Sequence, residues 1–173
     1  MHADINHCYA QIEEMLQPMH RLYPMVVGGH EEKRHGIVLA KNDLCRPLGV
    51  KTAQSLMEAR QACNDLPHYQ RYLEVSEKVK DIYRQYSDRV ESFGVDEAWV
   101  DLTHSLRLFG DPIALAKTIQ KRVYDEIGLT VSIGLSFNKV FAKLGSDMGK
   151  SSGFAYISED NYKNVVWPLP VGD

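Results

Sequence analysis

Asp4 lies near the start of the chain, and Asp96 and Glu97 are adjacent near its middle. If the fold brings them together, three carboxylates share one place. Such a cluster repels itself and retains protons unless cations neutralise it. Hard oxygen donors suit Mg²⁺ or Mn²⁺, ions that also take phosphate oxygens. A basic counterpart occupies 138–153, which begins Asn138-Lys139-Val140-Phe141-Ala142-Lys143 and includes Lys150. On a helix reaching Lys150, Lys139, Lys143 and Lys150 fall within a stripe of roughly 40°. Val140, Phe141, Leu144 and Met148 then lie on the opposite face and read as buried. Like charges in one stripe are easier to tolerate where an anion binds. A second basic stretch runs from Lys41 to Arg46 and on to Lys51, and Arg46 can bridge two phosphate oxygens. Taken singly, each feature reads first as surface carboxylates, caps or a solvated face. Together they point to metal-assisted phosphoryl transfer.

The elements that must position these groups are mixed. A very short strand holds Asp4, and residues 7–16 follow as an amphipathic helix with Cys8, Ile12, Met15 and Leu16 on one side. Met25–Gly28 and Gly36–Ala40 read as buried strands, 54–64 and 75–87 as helices, and Arg89–Thr103 as a hairpin with Asp96 and Glu97 beside its turn. Asp111-Pro112 starts a helix that Gly128 ends. Val131, Ile133 and Leu135 alternate with Thr130, Ser132 and Gly134, a strand pattern. Asn138 caps a helix running to about Gly149. A strand at Phe154–Ile157 and a helix near Glu159–Val166 complete the order. With 17–74 set aside, this is the α+β order of a ferredoxin-like split βαβ sheet, carrying a small α/β insert.

Composition sets outer limits. The 173 residues carry 20 Lys and Arg against 23 Asp and Glu, a formal charge of −3 that at face value disfavours a nucleic-acid binder. No apolar run is long enough to span a membrane. The start is neither basic nor followed by an apolar run, so no signal peptide is expected. Cys8, Cys45 and Cys63 form no C-x-x-C pair and read as reduced thiols of a cytoplasmic protein.

Four separated segments resemble Y-family (translesion, DinB/UmuC-like) DNA polymerases. Asp4 to Glu13 is similar to the family's first acidic motif, with Tyr9 before an "A-x-V-E"-like Ala10-Gln11-Ile12-Glu13. Gly94 to Asp101 resembles "S-I-D-E-A-[FY]-L-D". Ser132 to Gly153 resembles the "N-K-x-[LF]-A-K" motif and its sequel. His35 to Lys51 resembles the fingers segment. The resemblance covers nearly the whole chain in the right order.

It implies a palm at 1–17 and 75–165, fingers at 18–74, and a lead-in at 166–173 to a thumb that these residues do not include. It implies that Asp4, Asp96, Glu97 and the main-chain carbonyl of Ile5 hold two Mg²⁺ ions, with Mn²⁺ able to substitute. Tyr9 matches the gate that excludes a 2′-hydroxyl, and Arg46 and Lys150 match triphosphate-binding positions. Lys139 and Lys143 read as structural or DNA-facing. The implied activity is transfer of a deoxynucleoside monophosphate to a primer 3′-hydroxyl with release of pyrophosphate, weak or absent in these 173 residues alone. Partners implied are primer–template DNA, a deoxynucleoside triphosphate and, through further segments, a sliding clamp.

Three residues depart from the pattern. Asn6 stands where many members have an acid, Cys8 replaces a frequent aromatic, and Asp43 stands where the family often has Tyr. An aspartate there repels phosphate unless Lys41 or Lys51 neutralises it or it points away. A non-catalytic, polymerase-like accessory module binding DNA or protein is the alternative reading. A diguanylate-type cyclase is disfavoured, because Phe93-Gly94-Val95 replaces the Gly-Gly expected before its acidic pair.

Overall fold

The computed structural model describes residues 1–28, 36–66, 70–149 and 153–170. In chain order the elements are β1 (His2–Ile5), α1 (Cys8–Leu16), β2 (Met25–Gly28), β3 (Val38–Lys41), α2 (Leu56–Ala59), β4 (Asn64–Leu66), α3 (Gln70–Arg84), β5 (Val90–Phe93) and β6 (Glu97–Val100). Then follow α4 (Leu106–Phe109), α5 (Pro112–Ile127), β7 (Val131–Ser136), α6 (Lys139–Met148), β8 (Phe154–Ile157) and α7 (Tyr162–Val166). They form two compact units, Met1–Asn6 with Glu77–Asp173, and His7–Ser76. Helix α1 clusters with the second unit, whereas the sequence reading groups it with the palm.

The first unit is built on a five-stranded sheet of order β5-β6-β1-β7-β8. β1 is antiparallel to both β6 and β7, as a split βαβ arrangement requires, and β8 adds parallel to β7. The register faces Asp4 to Glu97 on one side and to Ser132 on the other, and His2 to Trp99 and Gly134. Directly opposed residues share a sheet face. His2, Asp4, Glu97, Trp99, Ser132 and Gly134 therefore line one face. Ala3, Ile5, Ala98, Val131 and Ile133 make up the other, apolar one.

Helix α5 starts as expected: the Asp111 carboxylate accepts the Ala114 amide, Pro112 takes the first turn, and Gly128 ends the helix at φ 85°. Asn138 caps α6 by accepting the Phe141 amide at 2.8 Å. The phase of α6 differs from the sequence reading. Its buried positions are Ala142, Gly145 and Ser146, while Val140 is 73% exposed. Size decides the face: Gly134 of β7 has no room for even a methyl group, because the α6 backbone lies against it. Only small residues permit so close an approach.

The second unit has a three-stranded sheet, β3-β2-β4, with β2 antiparallel to β3 and parallel to β4. Its core is Val26, Val38, Cys45, Val50, Leu56, Ala59 and Cys63. The helix expected over 54–64 shrinks to α2, because the chain turns back into β4. The buried Asn42 side chain holds the entry loop, accepting from the Met25 amide and donating to the His20 and Tyr23 carbonyls. Among the described residues no helix is long and apolar enough to cross a membrane.

Candidate active site

Strand β1 is central and fully buried, yet half of its residues are the polar His2 and Asp4. Burying such groups is costly unless they are paired, so a central strand of this kind marks a site. Asp4 reaches it from β1, and Glu97 reaches it from the facing position of β6. Asp96 is exposed at the turn before β6, and its carbonyl accepts the Ile5 amide at 2.9 Å. Gly94 makes this turn possible with φ of 76°. The buried Lys80 pins it by donating to the Gly94 carbonyl at 2.9 Å. Sequence reasoning missed Lys80; a lysine on the apolar stripe of α3, one residue after Val79, was the available signal.

Lys143 of α6 projects into this acidic end. Its ammonium donates to Glu97 Oε1 at 2.9 Å and Asp147 Oδ1 at 3.3 Å, and lies 3.9 Å from Asp4 Oδ2. Burial pulls the Lys143 pKa down, but the hydrogen bond and charge of Glu97, with Asp147, outweigh it and leave it raised. Lys143 is therefore a cation engaged by carboxylates, not part of an anion-binding stripe. Lys139 is likewise engaged, paired with Glu91 and lying over the Trp99 ring.

Beneath them, His2 Nδ1 shares a hydrogen bond of 2.8 Å with Ser146 Oγ. Burial, reinforced by the Lys143 charge, pushes the His2 imidazole down to about 4 against the opposite pull of Glu97. The ring is neutral near pH 7, so its 3.3 Å approach to Glu97 is no ion pair. Glu97 Oε2 and His2 Nε2 are both buried without a hydrogen-bond partner. A carboxylate oxygen left in that condition is a ready donor to a cation.

Among the described residues, no three His, Cys, Asp or Glu side chains converge as a bound metal requires. Asp4 and Glu97 come together around Lys143, and Asp96 stays at the rim. The donor set nonetheless suits a hard divalent ion: three carboxylates, one of them with an orphaned oxygen, and the nearby Ile5 main chain.

The remaining expected residues lie in the second unit or outside the described residues. Tyr9 stacks on Tyr72, with centroids 4.5 Å apart and planes 19° from parallel. Tyr72 is buried and donates to Glu13 Oε1 at 2.8 Å. Burial first, then Glu13, pushes the phenol pKa up, so it remains a donor. Tyr72 was not singled out from the sequence, and Glu13 entered only as the end of the first motif, without a role. Arg46 is exposed, with Nε 3.0 Å from Asp43 Oδ1 and Nη2 3.2 Å from His7 Nε2. Asp43 is therefore neutralised by Arg46 itself and approached by His7 at 3.4 Å. Lys41, one of the expected neutralisers, instead donates to the Val50 carbonyl. Lys150 lies outside the described residues.

The profile of the impB/mucB/samB family matches residues 3–147. The chain is 45% identical to DNA polymerase IV of Acetivibrio thermocellus over 99% of its own length and 44% of that protein. It is 38% identical to DNA polymerase IV 2 of Bacillus subtilis over 98% of its length and 43% of that protein. The 173 residues thus span less than half the length of these relatives. Among solved structures it is similar to an insertion ternary complex of Dbh DNA polymerase, with TM-score 0.90 and 26% identity over 98% of this chain and 52% of that one. DinB from Sulfolobus solfataricus matches with TM-score 0.87 and 27% identity over 95% of this chain and 50% of that one.

Proposed function

Because this chain belongs to the impB/mucB/samB family, we propose that it is the palm-and-fingers part of a translesion DNA polymerase. The reaction is transfer of a deoxynucleoside monophosphate from its triphosphate to a primer 3′-hydroxyl, releasing pyrophosphate. One observation carries the reading. The register that opposes Asp4 to Glu97, with the Asp96 carbonyl tied to the Ile5 amide, assembles the acidic motifs at one end of the sheet.

Asp4, Asp96, Glu97 and the Ile5 carbonyl would hold two Mg²⁺ ions, with Mn²⁺ able to replace them. Bound there, the ions lower the pKa of the primer hydroxyl and neutralise charge on the triphosphate. The chain's own groups supply the rest. Tyr9, braced by Tyr72, offers a flat apolar surface to the sugar and leaves no room for a 2′-hydroxyl. Arg46 and Lys150 bind the triphosphate, and Arg46 must exchange part of its contact with Asp43 to do so.

A formal charge of −3 fits this reading, because Lys143 offsets the carboxylate cluster only in part and metal and nucleotide complete the neutralisation. Primer–template DNA is the second substrate. The grip on its phosphates, which sets affinity and salt dependence, is assigned mostly to the length of the relatives that this chain does not span, as is any contact with a sliding clamp. Such a polymerase works in DNA repair, in the cytoplasm.

The test is calorimetric titration of the 173-residue chain with a deoxynucleoside triphosphate, with and without Mn²⁺. Binding that requires Mn²⁺ and is lost in the Asp96→Ala/Glu97→Ala double variant supports the reading. Binding indifferent to both overturns it.

A further inference from the structure

Lys143 contacts Glu97 and lies within 4.0 Å of Asp4. The third carboxylate on the ammonium, Asp147, differs from the other two: it lies one turn along the same helix, and its side chain is 43% exposed. A pair at i and i+4 meets without any backbone change. The ammonium is a compact charge on a flexible stem, able to pass from one carboxylate to another by rotation about its side-chain bonds.

We propose that Lys143 is a built-in countercharge of the acidic site, released from Glu97 and Asp4 to Asp147 when a divalent cation binds, and that it thereby sets the site's cation affinity. This rests on the reading of Asp4, Asp96 and Glu97 as the ligands. Three features support it. The ammonium lies where carboxylates converge, so it competes with a metal ion for the same oxygens. The orphaned Glu97 Oε2 shows that one lysine does not satisfy the carboxylate. The rotation of α6, fixed by Gly134 against Ala142, Gly145 and Ser146, places Lys143 over the site. Lys143 is thus a positioning residue that lowers the affinity of the free site for a cation.

The experiment is a Mn²⁺ titration of the 173-residue chain without nucleotide, followed by the electron paramagnetic resonance signal of free Mn²⁺. Lys143→Gln is expected to tighten binding about tenfold, a typical coupling between two linked sites. Asp147→Asn, which removes the receiving carboxylate, is expected to weaken it about threefold on the same scale. A purely structural lysine would give unchanged or weaker binding in Lys143→Gln, and that result overturns the proposal. If Asp96→Ala/Glu97→Ala binds Mn²⁺ as the wild type does, the ligand assignment itself fails. If that double variant loses binding while Lys143→Gln matches the wild type, only the role of Lys143 fails. A second measurement needs no substitution. The Lys143 ammonium resonance in ¹⁵N spectra should shift as diamagnetic Mg²⁺ saturates the site, and an unmoved resonance overturns the displacement.

Discussion

Replacing Gly134 by alanine tests how α6 is seated on the sheet. A methyl group there would lie 1.9 Å from the Ala142 carbonyl oxygen, 2.4 Å from the Ser146 amide nitrogen and 2.8 Å from the Gly145 carbonyl carbon. Raising the first approach to an ordinary 3.4 Å contact requires a shift of about 1.5 Å. The atoms in the way are backbone, so no side-chain rotation relieves the clash. Overpacking costs about 1–3 kcal/mol where side chains can yield, and the upper end, about 3 kcal/mol, is expected here. The reciprocal variant is the control. A methyl on Gly145 meets the Gly134 Cα at 3.2 Å and Ile157 at 3.6 Å, a tight contact but far less severe than that at Gly134. The gain of about 1 kcal/mol in helix propensity works against its cost. Both tryptophans, Trp99 and Trp167, lie in the first unit, so fluorescence under urea reports that unit alone. With a slope of about 2 kcal/mol per molar urea, the midpoint should fall by about 1.5 M in Gly134→Ala and by less than about 0.5 M in Gly145→Ala. Equal shifts, or a loss under about 1 kcal/mol in Gly134→Ala, would refute the argument that close backbone approach fixes α6.

Three further outcomes are expected. Tyr72→Phe leaves the buried Glu13 without its hydroxyl donor and should cost about 1–3 kcal/mol, read from circular dichroism under urea; no change would show that Glu13 does not depend on that bond. Asp43→Asn frees Arg46 from an exposed pair worth at most about 1 kcal/mol, so nucleotide affinity in Mn²⁺ should rise by no more than about fivefold, and a fall in affinity would contradict the competition. Burial, with the adjacent Cys63, pushes the Cys45 thiol from 9.0 up to about 12. Between those values the unfolded chain gives up a proton that the native chain keeps, so stability falls as pH rises through that window. Native Cys45 should accordingly resist a thiol-specific disulfide reagent at pH 8 and react on unfolding, and fast native labelling would count against its burial.

The acidic motifs, the split βαβ order and the caps at Asp111 and Asn138 were legible because each depends on local chemistry or on strand and helix period. The phase of α6 was not. Hydrophobic periodicity placed Val140 and Met148 inside, but the packed face was selected by small side chains opposite Gly134, a partner more than four residues away in sequence. That rotation turned Lys143 from an expected outward stripe into the acidic site. The roles of Lys80, Tyr72 and Glu13 were hidden for a related reason: each is a polar residue on an otherwise apolar surface, and only tertiary pairing shows why it is tolerated. The neutralisation of Asp43 by Arg46 is a three-residue local contact that the charge pattern allowed but did not single out.

The most direct measurement is a crystal structure of the chain with Mn²⁺ and a deoxynucleoside triphosphate, with the ions located by anomalous scattering. Mn²⁺ is expected on the carboxylates of Asp4, Asp96 and Glu97, with the triphosphate on the ions and Lys143 drawn away from Glu97. Ions bound elsewhere, with Glu97 still holding Lys143 and the nucleotide remote from Asp4, would contradict that placement.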